Sequence, residues 1–441
     1  MMPVILRLRS IVPDLPQMAE GNSLQWSFDK RIKLLGSDFY KKIVLHHPVL
    51  NMEYSILCHQ IRHHFDHPKQ INAKQVIGEL QTALMLAQLL EEIYLNYLVV
   101  PREVERLRRH QQIYKALLED MAGMTFLPEE RIKNPEQPEF SFAQYIRDNT
   151  AQLNWLRLFL TRTKRFLNFL NLVVTGSPQY KEFVRLMDFY TNPFFDYIAW
   201  CFFIPRLTTN LFLLAKHSIA WSDVNALEQE LDWHIRFQAQ IQRRWFELGN
   251  DLVWVGVGLL NCFVLVGALA PLSFYFTMIA FAFDVANASL RMFIELNRLY
   301  GVQNDYKKIY LACDDDVTKN AIEEYQHFLK HRIEFETLRL GLVLAGTVAV
   351  FWAMCLALPF LAANAVIPFI GAVSLIAIWM ASFALTRNLE QFRPNDTVEK
   401  PSGVTRFGVF AKNNNDQVKG DTVLENTADL PSDDRTSLRY G

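Results

Sequence analysis

Charge is missing from two long stretches of this 441-residue chain. No Asp, Glu, Lys or Arg occurs between Leu252 and Phe283 or between Leu340 and Thr386, and an uncharged apolar run of about 18 residues or more marks a helix that crosses a bilayer. Net charge is missing as well: 45 basic residues stand against 46 acidic ones, which argues against a nucleic-acid binder. Cysteine is scarce and odd in number, at Cys58, Cys201, Cys262, Cys313 and Cys355, so no disulfide framework is implied. Strand-like alternation and fixed-period repeats do not stand out. The first ten residues place Arg7 and Arg9 after a very short apolar patch and are followed by Pro13 and Pro16, which is not the pattern of a secretory signal. Catalytic signatures are also lacking: there is no G-x-S-x-G, no P-loop and no kinase set. Gly256 and Gly258 have neither the strand-turn-helix context nor the third glycine of a dinucleotide loop, and read as helix-packing positions.

What is present is apolar and aromatic, 51% and 13% of the residues, and the reading is an all-α, polytopic membrane protein whose first partner is the lipid bilayer. Apolar residues recur at helical spacing in 76–100, 102–121 and 142–174, with a proline-bearing loop at 127–140. Residues 1–190 are therefore expected to form a helical domain that buries its own core, on the side where the chain is made. Residues 191–250 read as an amphipathic or re-entrant segment followed by a helical connection. Within it, 194–215 has spanning length but carries Pro205 and Arg206 at its middle, and a central arginine costs about 2.5–3.5 kcal/mol on insertion. Two hairpins follow, in 251–291 and 340–387, joined by a helical connection at 292–339 and ending in a polar tail, 388–441, of disordered composition. Arg236, Arg243 and Arg244 precede the first hairpin, while the breaks at 270–273 and 363–368 have no charge. The positive-inside rule then gives four spans, 252–270, 272–291, 340–361 and 366–386, with both termini cytosolic; a span at 194–215 would make five.

Among residues able to carry chemistry, the densest group is Cys58 to His67, preceded by His46 and His47. His59, His63 and His67 fall on one helical face, with Asp66 and Cys58 near, but Gln60 stands where an H-E-x-x-H zinc helix needs glutamate. A solvated histidine-rich face explains the spacing equally well, so no metal or other cofactor is assigned; a metal-dependent hydrolase on this cluster is the third of three readings. Asp284 is the clearest single hint. It lies in a span among small residues, and intramembrane carboxylates usually face a bundle interior or water path. Arg206 and Asp284 are expected to pair, each relieving the other's burial. Asn261 and Asn364 suit interhelical hydrogen bonds, and Trp254, Tyr275 and Trp379 suit the aromatic belt. The triplet Asp314, Asp315 and Asp316 reads as a solvated helix start, with Asp316 or Thr318 as its cap.

Two stretches, Phe202-Phe203-Ile204-Pro205-Arg206-Leu207-Thr208-Thr209-Asn210-Leu211-Phe212-Leu213-Leu214-Ala215-Lys216-His217 and Arg243-Arg244-Trp245-Phe246-Glu247-Leu248-Gly249-Asn250-Asp251, resemble multi-pass membrane proteins of Legionella- and Coxiella-type intracellular bacteria. Some of those are regarded as type IV (Dot/Icm) secreted effectors. The resemblance covers about residues 190–300 and carries no catalytic motif. It implies a bacterial protein delivered to a host membrane; without delivery the bacterial inner membrane is the expected location. The tail from Asp421 is polar and hydroxyl-bearing with Leu438 near its end, but has only Glu425 where the secretion signal is glutamate-rich. The leading expectation is a non-enzymatic membrane protein presenting its helical domain to a protein partner; the alternative is an oligomeric transporter or channel component using Asp284 and Arg206.

Overall fold

The structure, a computed structural model, describes residues 2–18, 24–67, 73–126, 178–186, 189, 203–219, 226–356, 358, 361 and 366–394. The windows 127–140 and 142–174, Asn364 and the tail beyond residue 394 lie outside the described residues. Among the described residues the chain is helical, with one isolated bridge between Gln25 and Thr125.

The N-terminal helices are α1 (Pro3–Ile11), α2 (Phe28–Lys33), α3 (Ser37–Ile43), α4 (His47–Asp66), α5 (Ala73–Glu92) and α6 (Pro101–Ala122). Local chemistry sets their ends. Pro101 opens α6, where a missing N–H costs nothing. Gly123 closes it in the left-handed conformation, φ 63°, with its N–H on Glu119 O and that of Met124 on Leu118 O. The helix expected over 76–100 is α5, which widens into a π-turn at Ile93–Tyr97 before the chain reverses. The apolar patch at the start of the chain, too short to stand out by hydropathy, forms α1, with Val4, Ile5 and Leu8 buried.

The helices that follow are α7 (Phe203–Ile219), α8 (Trp233–Leu259), α9 (Ala270–Ala312), α10 (Asp316–Cys355) and α11 (Val366–Glu390). Asp315, rather than Asp316 or Thr318, caps α10, its carboxylate accepting the N–H groups of Val317 and Thr318. Three segments are long and apolar enough to cross a membrane by length and composition: Gly267–Ala312, Asp316–Cys355 and Phe369–Glu390. The first expected span, 252–270, is not among them. Its apolar residues end a helix whose first half is charged, and that helix loosens into a π-turn at Leu260–Val264.

A helix rises 1.5 Å per residue, so α9 and α10 are about 65 and 60 Å long, twice the roughly 30 Å of a hydrocarbon core. The surplus is not a free connection. Leu299, Val302 and Tyr306 of α9 and Ile322, Tyr325, Phe328, Leu329 and Ile333 of α10 belong to the same buried core as Leu8, Leu57, Leu86 and Leu118. The core expected to close within 1–190 thus takes in the 292–339 hairpin: the helices form a head seated on a two-helix stalk. At the apolar end α10 and α11 touch closely, since a Cβ on Gly371 would lie 3.0 Å from Ala353 O. Gly256, read as a packing position, has open space around it.

Candidate functional site

Two polar assemblies stand out, one between head and stalk and one along α8. At the head–stalk junction α4 turns its buried stripe toward α5 and α10. His64 Nδ1 lies 2.8 Å from Glu79 Oε2 and its Nε2 lies 2.8 Å from Glu324 Oε1. Gln60 donates to Glu79 Oε1 at 2.9 Å, and Gln75 Nε2 reaches both Glu79 Oε1, at 3.2 Å, and Glu324 Oε2, at 2.6 Å. His64 and Glu79 are buried, and Glu324 is partly exposed. Burial opposes a charge on His64, but the hydrogen bonds it donates to Glu324 and Glu79 outweigh it and push the imidazole pKa up to about 9. Burial pushes the Glu79 carboxyl up, against the pull of the His64 hydrogen bond.

A second buried contact fastens the same two bodies. Arg7 Nη1 lies 2.9 Å from Glu53 Oε2, Tyr306 OH donates to Glu53 Oε1 at 2.7 Å, and Arg7 Nε donates to Asp305 at 3.3 Å. Arg332 of the stalk adds a hydrogen bond to Ser55 and an ion pair with Glu336.

The histidine face singled out by spacing does something else. His59 and His63 lie edge-on to Phe328 of the stalk, and His63 stacks on exposed His67 at 4.6 Å. These three do not converge on a common point. Among the described residues the group whose ligand atoms do converge is His64, Glu79 and Glu324. Helix periodicity offered a hint, because His64 follows Gln60 by one turn on the apolar stripe that includes Leu57 and Ile61. Its partners, 15 and 260 residues away, had no such signal. Cys58 lies in the head core beside the Tyr114 hydroxyl, 3.1 Å away, and Tyr54 bridges Tyr114 to His110 at 2.9 and 2.7 Å. Asp66 pairs loosely with Arg62 at 3.9 Å. His47 is buried and donates from Nδ1 to Val44 O at 2.8 Å; burial, partly offset by that bond, lowers its pKa to about 4. None of the four described cysteines, Cys58, Cys262, Cys313 and Cys355, is in a disulfide.

The second assembly is a polar seam. Arg206 of α7 grips the Asp251 carboxylate of α8, its Nε 2.8 Å from each oxygen. Asp284 of α9 instead accepts from Trp254 Nε1, at 3.1 and 3.2 Å to its two oxygens. The expected Arg206–Asp284 pair is therefore not formed: Asp251 lies within reach of the guanidinium, and α8 stands between. Trp254 also stacks on Phe203 and meets Phe281 edge-on. Further along, Asn210 donates to Glu247, Asn287 to Phe246 O, and Asn261 to Thr277 at 3.1 Å, the interhelical bond foreseen for Asn261. Tyr275 is exposed, and Trp379 stacks on Phe383.

These helices are inside out. The buried positions of α8 are Arg236, Ala239, Gln240, Arg244, Asp251 and Val257, and those of α7 are Phe203, Asn210 and His217. Leu211, Phe212, Trp233, Phe237, Leu252 and Leu259 are exposed. In water the hydrophobic effect sorts residues the other way.

No protein-family model, curated protein or solved structure matches the chain.

Proposed function

We propose that this chain is a non-enzymatic, multi-pass membrane protein that holds a helical head beside the bilayer on a two-helix stalk and presents it to a protein partner. One observation carries the reading: α9 and α10 run unbroken from apolar ends into polar ends whose buried side chains, Tyr306 and Tyr325 among them, complete the core of the head. A head seated in this way cannot swing as it would on a flexible linker, so its outer surface keeps one orientation to the membrane helices.

For topology we keep four crossings, 252–270, 272–291, 340–361 and 366–386, with the head, the stalk and both termini on the cytosolic side. Basic residues beyond the apolar blocks, Arg291, Arg298, Lys307 and Lys308, support that sidedness. The apolar end of α8 with its π-turn, residues 252–264, rises only about 20 Å. The rest of that crossing falls to 265–270, and the inside-out character of α7 supports a re-entrant segment that enters the lipid against α8 without adding a crossing. The resemblance of residues 190–300 to membrane proteins of intracellular bacteria adds the proposal that this is a secreted effector acting at a host membrane.

The test is labelling of single cysteines by a membrane-impermeant maleimide, in a chain otherwise free of cysteine. Glu119→Cys on the head and Asp314→Cys at the stalk tip, both at exposed positions, should react from one side and a cysteine in the 363–368 turn from the other. Reaction of Glu119→Cys and Asp314→Cys from opposite sides would sink the proposal. A tag at the C-terminus reports the parity of the crossings, and a translocation reporter during infection tests delivery.

A second reading, an oligomeric transporter or channel component, draws on Asp284 alone, a carboxylate in the apolar part of α9 whose partner is an indole N–H. Arg206, held by Asp251, is not available to it. Solute or ion flux in vesicles that is unchanged by Asp284→Asn would dismiss this reading.

A further inference from the structure

We propose that His64, Glu79 and Glu324 form a binding site for a divalent transition-metal ion of the zinc class, placed so that the ion clamps the head to the stalk. This rests on the head-and-stalk arrangement and adds to it a ligand that would regulate how firmly the two are joined.

Four observations support the site. One ligand atom from each of the three residues lies within 4.8 Å of the others. Two ligands of tetrahedral zinc stand about 3.4 Å apart. Because Glu79 and Glu324 meet opposite nitrogens of the ring, the ion takes one nitrogen and one carboxylate swings round to join it, the partly exposed Glu324 being the freer of the two. The donor set is one imidazole with two carboxylates, which suits a borderline ion such as zinc and is poor for calcium or magnesium, whose shells are all oxygen. Two carboxylates converge on a single ring, and a divalent ion balances both negative charges, whereas an imidazolium balances one.

The surroundings are also those of a metal centre. Gln75 bonds both carboxylates and Gln60 bonds Glu79, fixing their oxygens as outer-shell partners do. Gln60 is buried, 3% exposed, and while its Nε2 donates to Glu79 its Oε1 has no hydrogen-bond partner. Turning that amide over would give the oxygen a partner in a cation held by Glu79. The Glu324 side gives a way in and a place for a water as the remaining ligand. Residues facing the site from packed elements are Gln60 and His63 on α4, Gln75 on α5 and the Phe328 ring on α10.

The decoy is the exposed His63–His67 stack, which offers an i,i+4 imidazole pair to any zinc in solution. Full-length protein in detergent, stripped with a chelator, is titrated with zinc and, in parallel, with cobalt, whose visible spectrum reports coordination. Bound metal is counted per chain after desalting. The expected result is one equivalent with a tetrahedral cobalt spectrum, retained in His67→Ala and weakened by at least about tenfold in Glu324→Gln. Glu324→Gln keeps a hydrogen-bonding side chain at a partly exposed position, and an elution volume equal to that of the parent verifies its fold. His64→Gln should abolish the cobalt spectrum. Failure of the parent chain to hold zinc, or zinc that is lost in His67→Ala and kept in Glu324→Gln, overturns the proposal. Maleimide sidedness is read without metal, so either proposal can fail while the other stands.

Discussion

Arg7 and Glu53 form a heavily desolvated ion pair within the head, with side chains 6% and 0% exposed, and both reach the stalk, Arg7 through Asp305 and Glu53 through Tyr306. Breaking such a pair by removing one partner leaves a charge buried without compensation and costs about 3–5 kcal/mol. Arg7→Met and Glu53→Met each keep roughly the side-chain volume and are expected to lose that amount. The double variant removes both charges. Asp305, 44% exposed, is then satisfied by water, and the Tyr306 hydroxyl loses its acceptor at about 1–3 kcal/mol, so the double variant should lose only that. The two singles therefore sum to far more than the double, and the coupling energy is at least about 3 kcal/mol. For a cooperative unit of this size one kcal/mol moves the midpoint by roughly 2–4 °C, which puts each single about 6–20 °C below the parent. The assay is thermal unfolding in detergent followed by a thiol-reactive dye in a chain whose sole cysteine is Cys58, which is fully buried in the head core. Additive losses, or an Arg7→Met shift below 2 °C or so, would refute the reasoning that this buried pair stabilises the fold only while it is whole.

Three further outcomes are expected. In the seam, Arg206→Leu and Asp251→Leu should each cost about 3–5 kcal/mol and the double variant much less, while a cycle between Arg206 and Asp284 should show no coupling; coupling to Asp284 in place of Asp251 would contradict the seam. His47 is held neutral, its pKa lowered to about 4 from an ordinary 6.5, so the unfolded chain takes up the proton first as pH falls. Its contribution is intact above pH 6.5 or so and lost toward pH 4, roughly 2–3 kcal/mol by about pH 4.5, and His47→Gln should flatten that part of the melting-temperature profile. Gly371→Ala pushes a methyl against the backbone of α10 and should destabilise by about 1–3 kcal/mol, whereas Gly256→Ala, facing open space in a helix, should stabilise by a few tenths to 1 kcal/mol or so; equal effects of the two would show that α10 and α11 are not in contact.

The all-helical class, the apolar blocks around 272–291 and 340–386, helices α5 and α6 of the head and the helix start near Asp315 were legible because each depends on residues close in sequence. Hydropathy, a proline at a first turn and a carboxylate beside free N–H groups act over one to five turns. What spacing could not supply was which partner each polar side chain would meet. His59, His63 and His67 share a helical face, and spacing drew attention to them, yet that face meets Phe328, while the convergent imidazole is His64 on the buried stripe. Arg206 and Asp284 are the two conspicuous charges in apolar sequence, but the guanidinium found Asp251, which sits at the edge of an apolar block and looks like part of a charged flank.

Sequence alone determined that this chain has long uncharged stretches and a helix-rich first half, since periodicity and the energetic cost of charge in lipid are properties of consecutive residues. Only the tertiary structure decided that 292–339 is a stalk and not a linker, that α7 and α8 turn their polar residues inward, and that Glu79 and Glu324 close on His64. Each of those depends on which helix lies beside which, and contacts up to 298 residues apart are set by the joint burial of several helices, which no local pattern encodes.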